Sequence, residues 1–493
     1  MKKLLTLFTT LSMMIIVSSC DNDFEDLNID PTASTELDVN PKFAYLFLKS
    51  AAEEVELSYT QILCAGQLVQ QVMDQTFPQS SIYTMREDLQ FAWWDIQYQS
   101  TIKSVVDIIS QLEGEGNVGT EMGIARIWKV FLFHTIVDTY GDTPYFEAGR
   151  GFIDGNTRPA YDDAQEIYMD MLNELEEGVA QIGSGNSLGT SDLVFGGDNS
   201  KWKKFGNSLM LRLASRIKNV DPSASNAWAL KAINGGTMSS NADTAFMTHT
   251  DGPTDLNRNA WGTYAPRYPN ARIGATLYDW LADHGDPRLN ILADPNGPAA
   301  GNRYGLENDQ LSALYGESPA SYASVNPVIT QKNSPWVFLS YAQTALLEAE
   351  FAASAGDHST AETKYNSAVM AHMQSWGTLY DSSLSVDNSA VSAYLSSNPY
   401  TASEGEAMIG EQYWAASFFD FFEGFSNFRR SGFPELQPFG GESPHPNNTT
   451  NGQIPRRLIY PANEASVNAD NFQAVIQSQG PNDQVTRVWW DVN

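Results

Sequence analysis

Between about residues 41 and 218 the apolar side chains return every three or four positions, as in Ile124, Ile127, Trp128, Phe131 and Ile136. That period gathers them on one face of a helix, whereas a half-buried strand needs strict alternation. The first half of the chain is therefore expected to form amphipathic helices that hide their apolar faces against one another.

Helices that pack in pairs raise the question of a repeat. In the tetratricopeptide pattern, small and aromatic residues at i, i+4 and i+7 of the second helix let the pair approach closely. Two segments fit: Ala164, Tyr168 and Met171 after Tyr161-Asp162-Asp163, and Ala361, Tyr365 and Ala368 after Gly356-Asp357. A long insertion separates them. Between about 236 and 335 Gly, Pro, Asn, Asp and Tyr abound and helical periods are few, and 377–400 and 431 onward are similarly irregular. The expected fold is mainly α: one domain over 41–493, with a tetratricopeptide-like scaffold at about 41–235 and 336–430. A loop-rich irregular lobe occupies about 236–335 and 431–493. Irregular segments on a rigid scaffold are where binding residues concentrate.

The start of the chain has a different character. Lys2 and Lys3 precede an apolar run from Leu4 to Val17, then Ser18, Ser19 and Cys20. A basic end, a short apolar stretch and small residues before a break describe an export signal over 1–19. The cysteine directly after it marks a lipoprotein signal, in which Cys20 is acylated and becomes the first mature residue. The polar, turn-rich strip over 20–40 reads as a tether. Acyl chains hold a protein on a membrane without spanning it, and no other stretch approaches the roughly 20 apolar residues of a span.

Of the two cysteines only Cys64 then remains, so no internal disulfide is available; its neighbours Ile62, Leu63 and Ala65 make it a packing residue. The 59 acidic residues against 29 basic ones give a net charge of −30. Nucleic-acid affinity comes mainly from neutralising phosphates with Lys and Arg, so that class is excluded. Docking on anionic lipid is disfavoured for the same reason.

Motifs for chemistry are sparse. Gly185-Asn186-Ser187-Leu188-Gly189 matches the serine-hydrolase elbow in letters only, since it follows an amphipathic helix rather than a strand. The six histidines show no zinc spacing and no EF-hand run is present. No catalytic residue, metal site or cofactor is expected; a calcium ion held by scattered loop carboxylates would leave no spacing signature.

Aromatic residues stand out instead, with 12 Trp, 21 Tyr and 24 Phe. Those in turn-rich company are the candidates for exposure: Phe77 and Tyr83 with Trp93 and Trp94, then Asn259, Trp261, Tyr264, Arg267 and Tyr268. Sugars offer flat C–H faces and a hydroxyl rim, so their sites combine aromatic platforms with side chains that donate and accept. Tyr83, Trp93, Trp94, Trp261, Tyr264 and Tyr268 are expected as platforms, with Asn259 and Arg267 as polar partners.

Several blocks, in order, carry a family resemblance. They are Cys20-Asp21-Asn22-Asp23-Phe24-Glu25-Asp26-Leu27-Asn28; Tyr140-Gly141-Asp142-Thr143-Pro144-Tyr145-Phe146-Glu147-Ala148; and Trp202-Lys203-Lys204-Phe205-Gly206-Asn207-Ser208-Leu209 through Ala214. Asp286-Pro287-Arg288-Leu289, the helix Tyr341 to Glu350, Phe428-Arg429-Arg430-Ser431-Gly432-Phe433-Pro434 and Arg457-Leu458-Ile459-Tyr460-Pro461 follow. Along nearly its whole mature length the chain resembles the SusD/RagB-like outer-membrane nutrient-binding lipoproteins. The resemblance implies a non-catalytic lipoprotein facing outward from the outer membrane. It would act as a lid on a SusC-like TonB-dependent transporter, capturing an oligosaccharide or an oligopeptide. The family's ligand residues vary, so none is carried over, and the blocks themselves read as scaffold. Two alternatives stay open: a lipid-anchored surface hydrolase of glycans, and a repeat scaffold that binds only proteins.

Overall fold

The computed structural model describes residues 38–493 except 53–57, 85, 253–256, 304, 307 and 439–446. The export signal, Cys20 and most of the tether lie outside the described residues. Helices of eight residues or more are α1 (Val39–Ala52), α2 (Glu87–Ile96), α3 (Lys103–Gly114), α4 (Thr120–Tyr140), α5 (Ala164–Gln181), α6 (Asn199–Arg216) and α7 (Pro222–Gly235). The insertion holds α8 (Ala260–Arg267), α9 (Ala275–Asp283) and α10 (Asn308–Tyr315). The second helical run is α11 (Tyr341–Ser354), α12 (His358–Leu379), α13 (Asn388–Ser397), α14 (Gly405–Ala416) and α15 (Phe421–Ser431), and α16 (Ala469–Ser478) follows near the end. A π-helical segment, Ser58–Gly66, lies against α2 and α15.

The fold is mainly α on a tetratricopeptide-like scaffold. Consecutive helices pack on one another, α4 on α5, α5 on α6 and α6 on α7, and again α11 on α12. In the second helix of two such pairs the expected residues face inward: Ala164, Tyr168 and Met171 on α5, and Ala361, Tyr365 and Ala368 on α12, are all buried. Local chemistry fixes the ends. Asp163 caps α5 by accepting from Gln165 N at 2.8 Å and Glu166 N at 3.2 Å, and Ser340 with Gln343 forms a reciprocal capping box on α11. Gly141 stops α4 at φ +87°, while its amide donates to Val137 O at 2.9 Å.

Strands are few. β1 (Val72–Asp74) pairs antiparallel with β3 (Ala271–Ile273), in register Val72–Ile273 and Asp74–Ala271. β2 (Ala245–Met247) pairs antiparallel with β4 (Trp336–Leu339). Each ribbon fastens the insertion to the flanking scaffold, and one hydrophobic cluster includes residues of both, among them Ile127, Ile273, Ile329 and Leu458. Cys64 is buried there, and burial pushes its thiol up to about 12, as a packing residue requires.

The core also holds charge. Asp138 on α4 accepts from Arg216 Nε at 3.0 Å, from Trp490 Nε1 at 2.9 Å and from the Tyr168 hydroxyl. Arg216 also donates to Glu423 on α15, and Arg212 lies 3.5 Å from Glu423 and 3.3 Å from Asp420. Scaffold pairing thus accounts for both arginines of the Trp202–Ala214 block and its continuation. The last residues return to the same place: Tyr460 OH donates to Asp142 O at 2.6 Å, and Gln479 Nε2 donates to Tyr140 O at 3.0 Å.

Candidate functional site

A cavity of about 770 Å³, open to solvent, lies in the insertion. Trp261 and Tyr268 supply its aromatic surface, and Arg272, Asp294, Lys332 and Asn333 contribute charged and polar groups. The position of α8 creates it. Asn259 caps α8, accepting from Trp261 N at 2.9 Å, and its amide donates to Ser334 O and Pro335 O, each at 3.2 Å. Its own backbone amide donates to Lys332 O at 2.8 Å. The cap therefore pins the first turn of α8 to the loop that carries Lys332 and Asn333. Gly262 lets that loop lie directly on the helix, because a Cβ there would collide with the backbone of Gln331 and Lys332.

Behind the cleft wall the aromatic residues form a rigid stack. Trp261 packs on Phe419 at 5.0 Å and on Tyr264 at 5.9 Å, and Tyr264 on Tyr268 at 5.1 Å. Tyr264 donates to Asp74 Oδ2 at 2.8 Å, and Asp74 Oδ1 accepts from Thr76 N and Phe77 N. Burial raises the Asp74 carboxyl above its ordinary value, and these hydrogen bonds oppose the shift. Phe77 meets the Tyr268 ring edge-on at 5.2 Å, and the Arg267 guanidinium lies 5.5 Å over the same ring. Tyr268 is half-buried and Arg267 exposed, so this end of the stack reaches solvent.

The eight expected ligand residues therefore separate. Trp261 and Tyr268 line the cleft, and Arg267 flanks it. Asn259 and Tyr264 stand behind it: Tyr264 is 0% exposed with its hydroxyl on Asp74, and Asn259 uses its side chain on the cap. Tyr83, Trp93, Trp94 and Trp261 correct the expectation of exposed platforms, at 2%, 5%, 5% and 3% exposure, although Trp261 still borders the cleft. Trp93 packs on Phe422 at 4.7 Å, and Trp94 is enclosed by Tyr98, Tyr140, Tyr161 and Tyr460. Tyr83 presents its backbone carbonyl to Thr449 N at 2.8 Å. For these three the reason is tertiary: α2 lies between the π-helical segment and the returning C-terminal chain, which covers its outer face.

Sequence reasoning missed Arg272, Asp294, Lys332 and Asn333. Arg272 sits in β3, and its guanidinium donates from Nε to Pro319 O at 2.6 Å and from Nη1 to Ala271 O at 2.8 Å, which holds that group beside the cleft. The turn composition of Lys332-Asn333-Ser334-Pro335 was the available signal, but it names a loop, not a neighbour. Among the described residues no group of three or more His, Cys, Asp or Glu side chains is arranged to hold a metal, and no helix is long and apolar enough to cross a membrane.

Residues 42–461 match the model of the SusD-like family described as starch-binding and associating with the outer membrane. The chain belongs to this family. Among solved structures, a chitin-binding protein is similar at 28% identity and a TM-score of 0.83, covering 92% of this chain and 100% of its own. A SusD homolog from Bacteroides uniformis shares the fold at 23% identity and a TM-score of 0.77, covering 93% of this chain and 100% of its own. A chitin-binding SusD homolog from Flavobacterium johnsoniae does so at 22% identity and a TM-score of 0.77, covering 92% and 99%. No functionally curated protein matches the sequence. The SusD-like scaffold places the open cleft of this chain in its insertion, between α8 and the loop before β4.

Proposed function

We propose that the chain is a non-catalytic surface lipoprotein, anchored through Cys20, that captures oligosaccharides in the Trp261–Tyr268 cleft and hands them to a SusC-like TonB-dependent barrel. The observation that carries this reading is the cleft itself: an open cavity lined by two aromatic residues, Arg272, Lys332, the carboxylates Asp251 and Asp294 and the amides Gln331 and Asn333. A pyranose ring lays its C–H face on an aromatic side chain while its hydroxyl rim exchanges hydrogen bonds with such groups. The open mouth suits capture and release. Membership of a starch-binding family and likeness to a chitin-binding protein support a glycan as ligand.

Calorimetric titration with chitin-derived and starch-derived oligosaccharides, with oligopeptides as a parallel arm, tests the reading. Saturable glycan binding without product is expected. Tyr268→Ala removes a half-buried ring and is expected to weaken it by about 1–2 kcal/mol with little change in stability. Hydrolysis of the glycan, or binding confined to peptides, would replace it.

A further inference from the structure

A second cavity, of about 500 Å³, opens on the helical scaffold among α9, α12, α13 and α14. Its walls are aromatic and acidic with one imidazole: Trp280, Tyr365 and Tyr394 form the aromatic surface, Glu404 and Glu411 carry the carboxylates, and His284 lies among them. No Lys or Arg lines it. Neither carboxylate forms an ion pair among the described residues; Glu411 Oε2 accepts from Trp280 Nε1 at 3.0 Å, and Glu404 from Thr401 Oγ1 at 3.4 Å. Glu404 is exposed and Glu411 and Trp280 are half-buried, so these groups remain within reach of a solute.

The floor of the cavity is already satisfied. Gln412 Nε2 donates to Tyr394 OH at 2.8 Å, and Gln412 Oε1 accepts from Arg288 Nη2 at 2.8 Å. Arg288 lies beneath the Trp280 ring, 5.9 Å from its centre, but Asp286 holds its guanidinium at 2.9 Å, so the deep charge is neutralised in place. What faces the cavity is then two carboxylates outside any ion pair among the described residues, beside the half-buried Trp280 ring, the His284 imidazole that packs on it at 4.8 Å, and the buried edges of Tyr365 and Tyr394. Carboxylates and aromatic rings both attract a cation, through charge and through the ring quadrupole.

We propose that this cavity binds a protonated amine carried on a small ligand, with Glu411 and Glu404 holding the ammonium and Trp280, Tyr365 and Tyr394 enclosing the carbon skeleton. The same chemistry is offered by an amino sugar with a free amine and by a lysine side chain. The proposal is independent of the Trp261 cleft, since none of its residues lines that cavity.

The test is calorimetry at about pH 6, where the amine is charged, with glucosamine, N-acetylglucosamine and Nα-acetyl-lysine amide as probes. Glu411→Gln is the variant: it keeps an oxygen to accept from Trp280 Nε1 and removes only the charge. At least one of the two amines is expected to bind saturably, about tenfold more weakly in the variant. N-acetylglucosamine is expected to show no binding that the variant changes. Glucosamine binding alone assigns an amino sugar, and lysine amide binding alone a peptide. The idea fails if neither amine binds, if the variant binds them as well as the parent, or if the variant weakens glycan titration at the Trp261 cleft to the same extent.

Discussion

Arg216→Ala is expected to destabilise the fold by about 3–5 kcal/mol, because it leaves Asp138 and Glu423 buried without their shared cation. Urea unfolding followed by tryptophan fluorescence measures it, and a midpoint within error of the parent would refute it. The acid limb carries a second signature. Burial alone would raise the Glu423 carboxyl, but Arg212 and Arg216 override it and hold the group at about 2. An unfolded glutamate titrates near about 4.3. The folded value is the lower one, so the stabilisation is fully present above about 4.3 and is lost as pH falls towards 2. Glu350, clasped by Arg430 and Lys218, is likewise held at about 2 and loses its contribution in the same window. In Arg216→Ala the Glu423 component of that acid loss should shrink, while the Glu350 component stays.

Trp261→Ala is expected to abolish measurable glycan binding and also to lower stability by about 3–5 kcal/mol, since a buried indole leaves a large cavity. Its ring is 3% exposed and wedged against Phe419 and Phe421, so one side chain serves as cleft surface and core packing at once. The two roles are separable. Tyr268→Ala should reduce affinity with little loss of stability, while Phe419→Ala should loosen the Trp261 support and reduce affinity without touching the cleft lining. Calorimetry beside unfolding curves for the three variants distinguishes these outcomes; Trp261→Ala with parental affinity would remove the cleft from the binding account.

The scaffold was legible because its signals are local. Ala361, Tyr365 and Ala368 lie within one helix, and their small–aromatic–small spacing reports the packing of the helix beside it. Gly141 and Ser340 announce helix ends through chemistry confined to a few residues. Trp93 and Trp94 show where this fails: their polar, turn-rich neighbours looked like a surface, yet the residue that covers Trp94 from outside is Tyr460, near the far end of the chain. Composition holds no record of such a partner. Asn259 failed differently: an amide beside aromatics suits a sugar and a helix cap equally, and only the position of Ser334 and Pro335 decides for the cap. Trp261 and Tyr268 border the cleft, but the charged groups around them lie on β3 and on loops whose approach no local pattern encodes.

The contact between Trp490 and Asp138 spans 352 positions. A polypeptide made from its amino end has α4, α5 and α6 available long before the indole that completes their charged centre. Until that last segment arrives, Asp138 lacks one of its donors and Tyr460 and Gln479 are not yet in place around Gly141. Closing so large a loop is slow relative to local helix formation, and an unfinished buried carboxylate is costly. Trp490 thus joins α4 of the helical scaffold to a segment more than three hundred residues later, a long-range closure laid over the local contacts of α4, α5 and α6.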